Sequence, residues 1–197
     1  IGIEKDIEKA ILYLQSAAKH KHREAQYRLG TIYQKGKDIE RDIDKAIFYL
    51  QSATEQNHSE SQYQLGLLYY RNRRIRDIDK SVKYLLMAAN QKHLEAQYRL
   101  GKIYYKGKYI EKDIEKAILY FQSAAKQNHA EALYQLGMIN YEGKYIEKDI
   151  EEAIKYFQSA ANQNHLESQY RLGKYYLKRG SIPNIDKSLD YLSIAAN

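Results

Sequence analysis

Residues 58–71 read HSESQYQLGLLYYR. The small or apolar positions Ser61, Leu65, Leu68 and Tyr69 fall at i, i+4, i+7 and i+8, which is the period of one helix face. Residues 72–76 then make a short basic loop. Asp77 stands where an N-cap belongs, with a carboxylate that can accept from the first free amides of a second helix. In that helix Ile78, Ser81, Val82, Leu85 and Ala88 form the buried stripe. The stripe ends at NQKH, and Leu94 starts the pattern again. Both helices are too short to persist without neighbours, so the segment reads as one helix–turn–helix hairpin that needs further hairpins beside it.

Those further hairpins are present. Gly30, Gly66, Gly101, Gly137 and Gly173 each follow a leucine and lie 36, 35, 36 and 36 residues apart. A period in this range marks a solenoid rather than a domain with one core. The units are approximately 1–21, 22–57, 58–92, 93–128, 129–164 and 165–197, in a single array across residues 1–197. Eleven helices are expected: an opening helix of the second type from about Asp6, then five complete pairs. A glycine inside a helix costs roughly 1 kcal/mol against alanine, so its recurrence predicts close helix approach. The second helix offers small partners at Ala46, Ser81, Ala117, Ala153 and Ser188. Another small position, at Ala53, Ala88, Ala124, Ala160 and Ala195, suits contact with the following unit.

Residues 96–107, AQYRLGKIYYKG, followed by Asp113-Ile114-Glu115-Lys116-Ala117 and Ala124-Ala125, fit the string A/S-x-x-x-L-G-x-x-Y-x-x-G, then D-I-x-K-A, then A-A. This string resembles the Sel1-like repeat (SLR) family, a branch of the tetratricopeptide (TPR)-like helical solenoids, and the resemblance runs over essentially the whole chain. It implies an all-α, right-handed α–α superhelix of about five and a half repeats, in which the first helix of each pair lines a concave face. It also implies a scaffold or adaptor for protein–protein interaction. Similar proteins serve in membrane-protein quality control, cell-wall enzyme activation or host–microbe contact, and some similar arrays accompany protein kinase domains. Two departures are visible. The loop glycine of Gly36, Gly107 and Gly143 is Asn72 in the second copy and Arg179 in the fifth, where the loop is one residue shorter. The family's glycine between units is replaced by Lys21, Asn57, Lys92, Asn128 and Asn164; asparagine tolerates a left-handed backbone.

Carried over by register from the L-G pair, the inward positions of the concave face include Tyr27 in the first copy. The second copy gives Tyr63, Leu67 and Tyr70, and the third gives Tyr98, Lys102 and Tyr105. The fourth gives Tyr134, Met138 and Tyr141, and the fifth Tyr170 and Lys174. Tyr27, Tyr63, Tyr98, Tyr134 and Tyr170 form a ladder, one rung per copy. Tyrosine is favoured at binding surfaces, and the competing reading of the ladder is packing between repeats. Residues 108–129 and 144–165 are identical at 19 of 22 positions, whereas the first helices 131–142 and 167–178 agree at only 4 of 12. The fourth copy is the odd one, with Leu133, Met138, Asn140 and Glu142.

The formal net charge is +7, but most lysines alternate with glutamates on the second helices, as on a solvated outer face. The exception is RNRRIR, where Arg71, Arg73, Arg74 and Arg76 gather four of the chain's ten arginines. An arginine cluster can clamp phosphates or carboxylates, so polyanion or nucleic-acid binding at Arg71–Arg76 is the alternative function. A structural spacer or regulatory segment beside another domain is a further one. His22, His58, His93, His129 and His165 occupy one slot in consecutive units. Packed helices lie roughly 8–10 Å apart, whereas metal ligands converge within about 2.1 Å of one ion. The histidines therefore read as turn or helix-start residues, with no metal or other cofactor expected. The chain has no cysteine, which excludes disulfides and thiolate metal sites, including the helix-pair disulfides of cysteine-rich secreted relatives. No catalytic motif is present, so an enzyme is not expected. No apolar stretch approaches 18 residues, and the cytoplasm is the default location. The chain begins halfway through a unit and stops just after Ala195-Ala196. That predicts a fragment of a longer protein, and uncapped ends open to end-to-end self-association.

Overall fold

A computed structural model describes residues 6–37, 39–179 and 191. Ten α-helices run through them: α1 Ile7–Lys19, α2 Arg23–Lys35, α3 Ile43–Thr54, α4 Ser59–Arg71, α5 Ile78–Asn90, α6 Leu94–Lys106, α7 Ile114–Ala125, α8 Ala130–Glu142, α9 Ile150–Ala161 and α10 Leu166–Arg179. No strand occurs among the described residues. The expected eleventh helix, with Ser188 and Ala195, lies outside them.

The helix starts and the turns between repeats have identifiable caps among the described residues. Asp6, Asp42, Asp77, Asp113 and Asp149 cap the second-type helices, accepting from the backbone N–H three residues on at 2.8–3.0 Å. Where that residue is lysine, its ammonium folds back onto the same carboxylate, as in Lys45–Asp42 and Lys80–Asp77 at 3.2 Å. Between repeats, Lys21, Asn57, Lys92, Asn128 and Asn164 all adopt φ of 58–62°. The left-handed turn expected at these five sites is thus kept without glycine, and the two lysines carry a backbone cost of about 1–2 kcal/mol each. The turn is a Schellman motif. In the third such turn, the Lys92 N–H donates to Ala89 O at 2.9 Å and the His93 N–H to Ala88 O at 3.1 Å.

The chain divides between Ala96 and Gln97 into two compact units. In the first, α2 packs with α3 and α4 with α5, while α1 and α3 meet the following first helices. Leu29, Ala46, Leu50, Leu65, Ser81 and Leu85 have no exposed surface there. In the second, α8 packs with α9, and α7 and α9 meet α8 and α10; Leu100, Ala117, Phe121, Ala153 and Leu172 are fully enclosed.

The repeating glycine does mark close approach, with a partner different from the small residues expected. A Cβ on Gly30 would lie 2.6 Å from Leu50 Cγ, and one on Gly101 would lie 2.6 Å from Phe121 Cδ1. The group resting on the glycine is therefore a large side chain, four residues beyond the small one: Leu50, Leu85, Phe121 or Phe157. The small residues let the backbones come near beside it, and Ser81 Oγ donates to Gly66 O at 2.8 Å.

Candidate partner-binding surface

The tyrosine ladder and the histidine row form one structure. Tyr27 lies against His58, Tyr63 against His93, Tyr98 against His129 and Tyr134 against His165, with ring centroids 4.4–5.1 Å apart. Each pair joins the first helix of one repeat to the start of the next. The histidines are N-caps, as their place at helix starts implied. Nδ1 accepts from the N–H of Ala25, Ser61, Ala96, Ala132 and Ser168 in turn, at 3.2–3.3 Å. An Nδ1 that accepts leaves the proton on Nε2 in the neutral ring, and His93 Nε2 reaches Glu60 at 2.8 Å. One side chain thus caps a helix, stacks on a ring and meets a carboxylate.

Burial pushes the His58 and His165 imidazoles below their ordinary value, chiefly by desolvation. Glu24, 3.7 Å from His58 Nε2, works against this, and Arg23 works with it. Between that lowered value and about 6.5 the unfolded chain binds more protons than the folded one, so stability is complete above the window and falls as the pH drops through it. Urea midpoints should fall between about pH 7.5 and about pH 5.5. The His58→Asn/His165→Asn variant keeps cap-forming side chains that do not titrate, and it should lose most of that slope.

Burial also sorts the residues expected on the binding face. Tyr63, Leu67 and Tyr98 are each only 8% exposed, and the two tyrosines serve packing between repeats. Tyr27 and Tyr134 are half-buried in the same role. What remains accessible is a different set. In the first unit it is Tyr70. In the second it is Lys102, Tyr105, Met138, Tyr141, Tyr170 and Lys174, on α6, α8 and α10. Tyr105 and Tyr141 lean on Phe121 and Phe157 at 6.4 and 6.3 Å, while Lys102 and Lys174 lie over Tyr98 and Tyr170 at 5.3 Å.

A small cleft of about 100 Å³ opens between α8 and α10, above α9. Phe157 and Ile154 line it with Tyr141 and Tyr175, and Arg171, Lys174 and Lys178 bring three cations to it. Tyr141 and Lys174 were expected on this face. Arg171 was not, because register from the L-G pair assigns it to the helix flank. Its Nε donates to the Glu167 carboxylate at 3.3 Å.

Arg71, Arg73, Arg74 and Arg76 are exposed at the α4–α5 connection. Arg76 Nε donates to Tyr70 O at 3.3 Å. Arg74 borders a cleft of about 700 Å³ that also holds Arg41 and Lys45, but with them Glu40, Asp42 and Asp44. Arg74, alone of the four arginines, therefore borders that cleft, which is of mixed charge rather than basic. Among the described residues no group of three or more histidine, aspartate or glutamate side chains converges as a metal site would require. No helix among them is long and apolar enough to cross a membrane.

Capped helix pairs recurring at 35–36 residues, each closed on its neighbour by a shared seam, define a repeat helical solenoid. The chain belongs to the Sel1 repeat family, whose model matches residues 1–22, 23–58, 59–93, 94–129, 130–165 and 166–197. A Sel1 repeat protein from Oxalobacter formigenes is similar, with 26% identity and a TM-score of 0.83, over 99% of this chain and 81% of that one. The protective antigen c5321 of uropathogenic Escherichia coli strains, described as displaying an SLR fold, shares the fold at 24% identity and a TM-score of 0.83. That match covers 94% of this chain, which spans only 40% of the antigen's length. Helicobacter pylori cysteine rich protein B is 28% identical, with a TM-score of 0.52, over 68% of this chain and 96% of that one; the cysteines its name records have no counterpart here. Comparison with curated protein sequences gave no match. Sel1 repeat proteins are generally non-enzymatic scaffolds that bind protein partners.

Proposed function

We propose that this chain is an adaptor that holds an extended peptide, or an extended segment of a partner domain, along its first helices. The observation that supports this reading most is the accessible set on α6, α8 and α10. There, aromatic and cationic side chains sit over a floor of Phe121 and Phe157. Half-exposed tyrosines on rigid helices give contact area at little entropic cost. The arginines at Arg71–Arg76 are a weaker candidate for a polyanion, because Glu40, Asp42 and Asp44 line the cleft beside Arg74.

Hydrogen exchange, with and without peptides selected by display against the folded chain, tests the reading. Added protection is expected on α6, α8 and α10. A footprint confined to α7 and α9 overturns it.

A further inference from the structure

The cleft between α8 and α10 has a size, a floor and a charge that together specify an occupant. At about 100 Å³ it is well below the several hundred Å³ of a small-molecule site and fits one side chain. Its floor is Phe157, 1% exposed, with Ile154 beside it. Its rim is basic. Arg171 is held in position by Glu167 at 3.3 Å, whereas Lys174 and Lys178 have no carboxylate partner among the described residues. Those three cations lie on one stripe of α10, at spacings of three and four, where like charges weaken a helix. An anion between them relieves that repulsion. The facing helix α8 has the opposite character: at the three equivalent positions it carries Gln135, Met138 and Glu142. The cleft is therefore basic on the α10 side, while α8 lines it with Tyr141, and Met138 packs on the same apolar cluster.

We propose that the cleft seats a glutamate or aspartate side chain of the extended peptide, with an apolar neighbour of that residue against Met138 and Tyr141. The inference rests on the adaptor reading and adds the chemistry of the partner. A carboxylate between Arg171 and Lys174 gains charge-assisted hydrogen bonds, and Phe157 and Tyr141 exclude water from one side of it. Long-range attraction from the same charges makes capture sensitive to salt.

The test uses a positional-scanning library of fluorescein-labelled octapeptides, read by anisotropy on the full chain. A fluorescein-labelled ten-residue thymidine oligonucleotide serves as a polyanion control. Peptides with glutamate or aspartate at one fixed position should bind best. Replacing that residue by its amide, or introducing Lys174→Glu with Lys178→Glu, should weaken binding by at least about tenfold. Both lysines are exposed, so the variant should keep the wild-type circular dichroism. Equal binding of acid and amide peptides, with the footprint still on the first helices, overturns this inference and leaves the adaptor reading intact. A footprint on the second helices overturns both. No peptide binding at all, or tight binding of the oligonucleotide that the acidic peptides fail to displace, also overturns the acidic-peptide cleft.

Discussion

Phe121→Ala is expected to lower the stability of the second unit by about 3–5 kcal/mol, the cost of emptying a closed aromatic site. Phe121 has no exposed surface, and its ring covers the place a Cβ of Gly101 would need. Tyr98 and Tyr105 lean on the same ring at 6.0 and 6.4 Å. Removing the ring therefore opens a void against a helix that has no side chain at Gly101 with which to fill it. The chain itself supplies the control: in the first unit leucine does this work, Leu50 over Gly30 and Leu85 over Gly66. Phe121→Leu should accordingly cost only about 1 kcal/mol. Urea unfolding followed by circular dichroism measures both. Because a repeat array can open locally, hydrogen exchange should also show the loss concentrated in α6 and α7. Equal effects of alanine and leucine would refute this account of the glycine.

The repeat was legible because its signals are local. The L-G spacing, the aspartate before each second helix and the asparagines between units each need only the backbone around them. What lay beyond the sequence was the direction in which side chains point. Ala46 and Ala117 are buried as expected, yet Leu50 and Phe121 rest on the glycines, because side chains on a helix reach back toward its N-terminus. The same limit affected the site. Counting from the L-G pair placed Tyr63 and Tyr98 on the inward face, but the next repeat covers that position with a histidine, and no count within one copy reveals the covering group.

The fourth copy shows what structure adds to a noted oddity. Tyr33, Tyr69 and Tyr104 each stack on a tyrosine of the following helix at 5.8–5.9 Å, with Lys45, Lys80 and Lys116 over their rings. In the fourth copy Asn140 stands where that first tyrosine would be, and Glu152 stands for the lysine. The two changes belong together: without the ring the cation has nothing to lie on. Asn140 turns its amide to Leu136 O at 2.8 Å, and Glu152 pairs with Lys155 at 3.0 Å. Leu133 likewise replaces a buried glutamine that accepts from the following turn in other copies, as Gln62 does from Gln91 at 2.6 Å. Three departures scattered through the sequence become losses of two specific contacts.

His93→Ala is expected to cost about 2–3 kcal/mol, second only to the loss of Phe121, because one ring holds three interactions. Its Nδ1 caps α6 through the Ala96 N–H at 3.2 Å, its face meets Tyr63 at 4.6 Å, and its Nε2 reaches Glu60 at 2.8 Å. The roles separate by substitution. His93→Asn retains a cap acceptor and loses the stack and the carboxylate contact, so it should recover about 1 kcal/mol of the deficit. Glu60→Gln keeps the stack and the cap and removes only the charge. The carboxylate itself provides the readout. The hydrogen bond from His93 is the main reason the Glu60 carboxyl sits below its ordinary value, and burial opposes it. That bond stabilises the folded chain above the ordinary glutamate range and is lost as the pH falls through the lowered value. In His93→Ala the Glu60 pKa, followed by carbon-13 NMR of its carboxyl, should therefore rise. In His93→Asn it should rise as well, even though the helix cap survives. If the carboxyl stays where it is while stability falls, the histidine acts through its cap and stack alone, and the seam between repeats is steric rather than electrostatic.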